Sequence, residues 1–440
     1  MQHVVIVGGG AGGLALATQL GRRHGRKGRV KVTLVDGERT HVWKPLLHQL
    51  AAGSFDTHAE EIEYLAQARW NHFKFRLGTM VGLDRARRML QLAASHDAGG
   101  AEISPATELP YDTLVIAVGS QTNDFGTPGA AQHSIKLDSA AAARRFNDRL
   151  INACIRAQSV PPGDDGERLS VVIVGGGATG VELAAELHAA ARVLSSFGFD
   201  HIHPQSELKI VLLEAAPRLL SHLPQRLGDA AVRELRKLAV EVHVGEKVVE
   251  LRRDSVHTAN GRQFRANIAV WAAGVKAPDL LRTLGGADAL EVNALNHLVV
   301  DGRLRSTRDP NILAFGDCAA CPQPGGKWVP PRAQAAYQQA MYLLRTLPAR
   351  WAGGAVQPEP KPFVFEDQGS LVSLSDYSSV GSLMGSLTRG SLFVEGQLAK
   401  IMYWGLHKQH QLALGGFRKT ALITLAEMID RAYRPRIKLH

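Results

Sequence analysis

The sequence predicts an α/β chain in which two parallel-sheet units each open with a strand, a glycine-rich turn and a helix. Two observations carry this. The run Val4-Val5-Ile6-Val7 leads into Gly8-Gly9-Gly10-Ala11-Gly12-Gly13, and Val171-Val172-Ile173-Val174 leads into Gly175-Gly176-Gly177-Ala178-Thr179-Gly180. In each case the next predicted strand closes with an acid: Asp36 after Val32-Thr33-Leu34-Val35, and Glu214 after Ile210-Val211-Leu212-Leu213.

Each glycine has a physical task. Gly8 and Gly175 make the tight turn, Gly10 and Gly177 let the backbone approach a pyrophosphate, and Gly13 and Gly180 let the helix pack on its strand. The helix N-terminus then presents free N–H groups and a positive dipole end to phosphate. Asp36 and Glu214 can accept hydrogen bonds from a ribose diol. A carboxylate repels a 2′-phosphate, so Glu214 favours NADH over NADPH. One such loop is a weak signal; two, each with its acid, predict two Rossmann-like dinucleotide sites and electron transfer between their ligands.

The remaining elements follow in order. Tyr111 to Ser120 reads as a buried strand ended by a glycine turn, and a helix is expected around Ala140 to Ala157. Pro161 to Gly166 is a loop by its Pro, Gly and Asp content. The second unit is expected over about 168–290, with a surface insertion from Ser195 to Ser206 and a last strand and turn at Ile268 to Gly274. There Ala273-Gly274 would let a nicotinamide come close. The strand Asn311 to Phe315 returns the chain to the first unit, and Gly316-Asp317 suits a ribityl or phosphate contact. A Pro- and Gly-rich stretch from Pro348 to Pro362 sets off the last segment, in which short strands are expected at Gly369 to Asp376 and Ser391 to Val394.

At 440 residues the chain has room for two to three domains. The first strand begins almost at residue 1, so no targeting leader is expected. No apolar run reaches the roughly 18 to 20 residues that span a bilayer. Three cysteines, Cys154, Cys318 and Cys321, make no disulfide framework, and no metal ion is expected. Net charge is +10, and +6 of it falls between Lys400 and His440. Apolar residues interleave with those cations, which favours anionic lipid over nucleic acid. Tyr403 and Trp404 suit a headgroup layer, and Leu422, Leu425, Ile429 and Tyr433 fall at helical spacing, as in an in-plane amphipathic anchor. A packing helix or homodimer interface is the competing reading.

Three segments carry a resemblance: Thr40-His41-Val42-Trp43-Lys44-Pro45-Leu46-Leu47-His48-Gln49-Leu50-Ala51-Ala52-Gly53, Pro330-Pro331-Arg332-Ala333-Gln334-Ala335-Ala336-Tyr337-Gln338, and the terminal Arg434 to His440. Across essentially its whole length the chain resembles bacterial type II NADH:quinone oxidoreductases, two-dinucleotide FAD/NADH proteins related to the disulfide reductases. The resemblance implies an FAD-binding domain at 1–125 and 291–347, an NADH-binding domain at 126–290, and a membrane-association domain at 348–440. It implies a flavin-edge and quinone-headgroup site at Gln334 and Gln338. Four residues apart, these two share a helix face and can donate to a quinone carbonyl without adding charge. It places Lys44-Pro45 near the isoalloxazine and Glu182 near the nicotinamide, flavin and quinone. Glu182 there orients nicotinamide or relays a proton; helix-dipole complementarity is the alternative. Lys400 joins Glu182, Gln334 and Gln338 as a candidate catalytic residue.

A disulfide reductase needs a cysteine pair soon after Asp36, yet Thr40 to Phe55 contains none. Electrons are therefore expected to leave the flavin directly for a small acceptor. Cys318 and Cys321 have redox spacing but read as structural. The expected function is a non-proton-pumping NADH:quinone oxidoreductase, peripheral on the cytoplasmic face of the inner membrane. The alternatives are a ferredoxin or sulfide reductase of the same fold, and an NADH-sensing flavoprotein without catalysis.

Overall fold

A computed structural model describes residues 1–55, 60–97, 99–159, 169–196, 208–351, 358–375, 377–385 and 388–433. The sequence expectations at 161–166, most of the 195–206 insertion, Asp376 and the terminal 434–440 motif lie outside the described residues. The chain divides into two compact units. One gathers Met1–Trp43, Glu61–Gln121 and Lys276–Glu366; the other gathers Lys44–Glu60, Thr122–Val275 and Asp367–His440.

The first unit is organised by a five-stranded sheet in the order Ile312–Ala314, Thr113–Ile116, Gln2–Val7, Val30–Asp36, Lys74–Leu77. All four pairings are parallel. The central strands are nearly all β-branched or Leu, as strands covered on both faces must be; Val4, Val5 and Ile6 are fully buried. The Ala11–Leu20 helix packs on the Ala333–Thr346 helix. Gly12 permits that approach, because a Cβ there would meet the Phe315 ring and the Ala336 backbone. A three-stranded antiparallel sheet (Met80–Asp84, Met89–Leu92, Thr107–Pro110) is appended.

The second unit repeats the plan. Its parallel sheet runs Ile135–Lys136, Ile268–Trp271, Leu169–Val174, Leu208–Glu214, Glu241–Val244. It too carries a three-stranded antiparallel sheet, Val248–Leu251, Ser255–Thr258 and Gln263–Arg265. The Ala178–Ser196 helix is buried on almost every side from Gly180 to Ala191. The reason is its neighbours: the parallel sheet, the Leu47–Ala52 helix and the Gly369–Leu374 strand all pack on it. An amphipathic pattern would be wrong for such a helix, and its Ala- and Leu-rich sequence shows little of one.

Three antiparallel strands, Gly369–Leu374, Ser378–Gly385 and Thr388–Glu395, precede one long C-terminal helical segment, Gln397–Tyr433. That segment is two helices joined at Gly416, whose φ of 74° and ψ of 171° interrupt the helical path. Among the described residues no helix is long and apolar enough to cross a membrane.

Candidate functional site

In the first unit Gly8 takes φ +102°, and a Cβ there would strike the Ala117–Val118 backbone, so only glycine fits the turn. A Cβ on Gly13 would run into the Gly8 carbonyl, which brings the helix start against the loop. A Cβ on Gly10 would meet nothing within 4 Å: the loop presents an open face there. Asp36 stands at the end of the adjacent strand. The Gly9 N–H donates to its Oδ2 at 2.6 Å and the Glu38 N–H to its Oδ1 at 2.8 Å.

Two residues that sequence reasoning missed hold this loop. The Tyr64 hydroxyl donates to the Gly9 carbonyl at 2.9 Å, and His41 Nδ1 lies 2.9 Å from the same oxygen. Burial and the nearby charges of Asp36 and Glu38 push the Tyr64 phenol well above its ordinary pKa, so it stays a donor. His41 lay inside the recognised 40–53 segment; Tyr64 had no sequence signal.

The Gly316-Asp317 pair follows the Ile312–Ala314 strand with Gly316 at φ +75°. The Gly316 N–H donates to Gln339 Oε1 at 2.8 Å, and Ser120 Oγ donates to Asp317 Oδ2 at 2.8 Å. Gln339 is fully buried and anchors the turn to the Ala333–Thr346 helix. On that same helix Gln334 and Gln338 are half-buried. The Gln338 amide is committed to the extended backbone: Nε2 donates to the Glu366 carbonyl at 2.8 Å and Oε1 accepts from the Glu366 N–H at 3.1 Å.

The second unit shows the same loop geometry. Gly175 has φ +115°, a Cβ on Gly180 would meet the Gly175 carbonyl, and a Cβ on Gly177 would meet nothing within 4 Å. Glu214 Oε2 accepts from the Gly176 N–H at 2.5 Å, and its Oε1 from the Ala216 N–H at 2.7 Å. At the end of the Ile268–Trp271 strand, Trp271 Nε1 donates to the Asn123 and Ala273 carbonyls, both at 3.0 Å. Gly274 has φ +67°, and the exposed Phe125 ring fills the space where its side chain would be.

Glu182 is buried on the second turn of the Ala178–Ser196 helix. The Ser373 N–H donates to its Oε1 at 3.0 Å, and His48 Nδ1 lies 3.4 Å from its Oε2. Burial pushes the Glu182 carboxyl up to about 8, with the Glu186 charge adding to the effect. Burial lowers His48 to about 4. Both groups are therefore neutral near pH 7. Ser54 Oγ donates to Glu186, one turn along.

Lys44 is exposed in a short 3-10 turn, Lys44–Leu46, ahead of the Leu47–Ala52 helix. The Tyr403 hydroxyl donates to the Pro45 carbonyl at 3.3 Å. This corrects the headgroup assignment for Tyr403: its polar tip is spent inside the unit. Lys400 is half-buried on the first turn of the C-terminal helix. Lys408 Nζ reaches Gln411 at 2.8 Å and Glu427 at 2.5 Å, and so ties together the helices on either side of Gly416. Beyond Gly416, Phe417, Leu422, Leu425, Met428 and Ile429 are exposed.

All three cysteines are buried and free. Burial pushes each thiol up to about 12, so none supplies a thiolate at neutral pH.

Two loops, each open at its middle glycine and each paired with a strand-end carboxylate, fit a dinucleotide apiece and define an oxidoreductase with two nucleotide sites. A family model described as pyridine nucleotide-disulphide oxidoreductase matches residues 2–340. A type II NADH:quinone oxidoreductase of Haemophilus influenzae is 41% identical over 452 residues, covering 100% of both chains. The Mycobacterium tuberculosis type II NADH:quinone oxidoreductase Ndh is 29% identical over 96% of this chain and 86% of its own. Among solved structures, NDH2 from Plasmodium falciparum in complex with NADH aligns with TM-score 0.82 at 19% identity, over 99% of this chain and 100% of that one. The sulfide:quinone oxidoreductase from Aquifex aeolicus aligns with TM-score 0.70 at 17% identity, over 98% and 95%. These two structures share the fold. The chain belongs to the pyridine nucleotide-disulphide oxidoreductases, and within them to the type II NADH:quinone oxidoreductases.

Proposed function

We propose that the chain is a non-proton-pumping, FAD-dependent NADH:quinone oxidoreductase, peripheral on the cytoplasmic face of the inner membrane. The observation that carries this is the repetition of one dinucleotide-binding geometry in a chain whose three thiols are all buried and protonated. When bound, FAD would supply the two-electron chemistry that links NADH to a quinone. A sulfide or disulfide reductase needs a reactive thiolate, and none of the cysteines provides one.

The chain's own residues bind, orient and hold protons. Gly8, Gly10, Gly13 and Asp36 would hold the FAD pyrophosphate and ribose, and Gly316 and Asp317 its ribityl phosphate end; Lys44 and Pro45 are the residues the family resemblance assigns to its ring. Gly175, Gly177, Gly180 and Glu214 hold NADH, with Ala273 and Gly274 letting the nicotinamide approach. Positioning of this kind is the main catalytic contribution of protein to a flavin reaction. Gln334 and Gln338 bound the quinone headgroup; Gln338 keeps one N–H beyond its Glu366 bonds. Glu182 and Lys400 are the further candidate catalytic residues.

The exposed apolar residues from Phe417 to Ile429 form a lipid-facing surface flanked by cations, which also offers a homodimer contact. Leu422→Ser with Ile429→Ser is expected to lower co-sedimentation with anionic liposomes; unchanged binding would remove the anchor. The central experiment is stopped-flow bleaching of the flavin by NADH, followed by reoxidation with ubiquinone and menaquinone analogues. A protein that purifies without flavin and cannot be reconstituted with FAD refutes the reading.

A further inference from the structure

Gly9 and Gly176 hold the same place in their loops, one residue ahead of the open glycine, and each is gripped at both ends. The Gly9 N–H donates to Asp36 Oδ2 at 2.6 Å, and its carbonyl takes the Tyr64 hydroxyl and His41 Nδ1, both at 2.9 Å. The Gly176 N–H donates to Glu214 Oε2 at 2.5 Å, and its carbonyl takes the Leu220 N–H at 2.8 Å. The strand-end acid is common to both units; the donor to the carbonyl is not. One unit uses two side chains. The other uses a backbone N–H on a leucine with φ 50°, a conformation that costs any residue with a Cβ. Two different chemistries reach one arrangement, once at the expense of backbone strain, so the direction of that carbonyl is what both units fix.

A trans peptide plane points its C=O and the following N–H in opposite directions. Among the described residues no peptide bond is cis. Pinning the Gly9 carbonyl onto Tyr64 and His41 therefore turns the Gly10 N–H away from them. A Cβ on Gly10 would meet nothing within 4 Å, so the loop is open around that donor. The Leu220 N–H does the same for Gly177.

Local pairing builds the grip in the first unit. Thr40–His41 runs antiparallel to Ile62–Glu63, with His41 opposite Ile62, which sets the Tyr64 and His41 ring centroids 6.4 Å apart. The Tyr64 ring stacks on Phe75 at 5.0 Å, and Tyr64 and His41 are each 2% exposed. A carbonyl only accepts, so Nδ1 carries the imidazole hydrogen. A Cβ on Gly9 would fall on the Tyr64 hydroxyl, so the tyrosine itself requires glycine there.

We propose that Tyr64 and His41 are positioning residues for the cofactor pyrophosphate: by fixing the Gly9 carbonyl they present the Gly10 N–H to it. This rests on the reading of the first loop as the FAD site. The test follows cofactor binding rather than turnover. Apoprotein is titrated with FAD; quenching of flavin fluorescence gives Kd, and phosphorus NMR reports the bound pyrophosphate. Tyr64→Phe keeps the ring on Phe75 and removes one donor. Kd is expected to rise by on the order of tenfold, and the pyrophosphate resonances to move. His41→Leu should act likewise, whereas His41→Asn can place an N–H where Nδ1 stands and stays within about threefold of the wild type. A bond that merely steadied the fold would lower the Tm of the apoprotein and leave the phosphorus signals of bound FAD in place. A folded Tyr64→Phe with Kd and resonances unmoved overturns the proposal. So does His41→Leu binding FAD as tightly as His41→Asn, the comparison that decides if Tyr64→Phe does not fold. Wild-type protein that takes up no FAD refutes the FAD reading itself, and the proposal with it.

Discussion

Phe125 and Gly274 occupy one another's space: the aromatic ring stands where a side chain on residue 274 would project. Phe125 itself holds a φ of 54°, which non-glycine residues rarely adopt. Gly274→Ala therefore meets both a backbone penalty at φ +67° and a ring in the way. The expected cost is about 1 to 2 kcal/mol in stability, read as a lower Tm. On the proposed nicotinamide approach at this strand end, KM for NADH should rise. An unchanged KM with a lowered Tm would show that this strand end is structural only.

Glu214→Ala removes the acceptor for two backbone N–H groups and the charge that opposes a 2′-phosphate. The ratio of kcat/KM for NADH over NADPH is expected to fall about tenfold, equivalent to roughly 1.4 kcal/mol. Steady-state kinetics with both nucleotides check this. An unaltered ratio means the ribose is read elsewhere.

Gln338→Ala is expected to lower quinone turnover while NADH bleaches the flavin at its usual rate. It also frees the Glu366 backbone from two hydrogen bonds, at about 0.5 to 1.5 kcal/mol each. The informative comparison is the ratio of the two half-reactions at a temperature well below the melt. Equal loss of both would make Gln338 a clamp on the backbone and nothing more.

The His48 and Glu182 pair gives stability a particular pH dependence. Glu182 has a raised folded pKa, so its neutral form stabilises the fold at low pH, and that contribution is lost as pH rises toward about 8. His48 has a depressed folded pKa, so its contribution is present above about 6.5 and lost as pH falls toward about 4. Between about 4.5 and 6.5 the two slopes oppose. From there to about pH 8 Glu182 acts alone, and Tm should decline. Glu182→Gln should flatten that decline in a differential scanning series. A slope equal to that of the wild type would mean the carboxyl is not held neutral.

Lys408→Ala strands Glu427 in a half-enclosed setting with Gln411 as its remaining partner. Breaking one side of a largely buried ion pair costs about 3 to 5 kcal/mol. The effect should appear as faster hydrogen exchange on both sides of Gly416. Pairing it with Glu427→Ala should recover part of the loss; full additivity would show that the two side chains do not cooperate.

What could be read in advance was local. Gly8, Gly13 and Asp36 lie within one strand-loop-helix-strand stretch, as do their counterparts Gly175, Gly180 and Glu214, so spacing alone exposes their tasks. The state of Glu182 depends on Ser373 and His48, residues far away in the chain, and on a helix enclosed from three directions. No periodicity encodes that. The four-residue spacing of Gln334 and Gln338 was legible, but the Glu366 backbone that occupies one of the two amides was not. Tyr403 misled for a related reason: an aromatic beside lysines reads as interfacial, and only the Pro45 carbonyl shows where its hydroxyl is spent.

The division of the chain carries a last consequence, for its synthesis. The chain passes from one unit to the other five times, at 43/44, 60/61, 121/122, 275/276 and 366/367. A ribosome that has made the first glycine loop must still extrude Ile312–Ala314 before the edge of that sheet can be closed, and Gly369–Leu374 before Glu182 has its backbone partner. Nascent protein thus spends much of translation with unpaired strand edges, a state that long-range pairing makes slow to leave and open to aggregation.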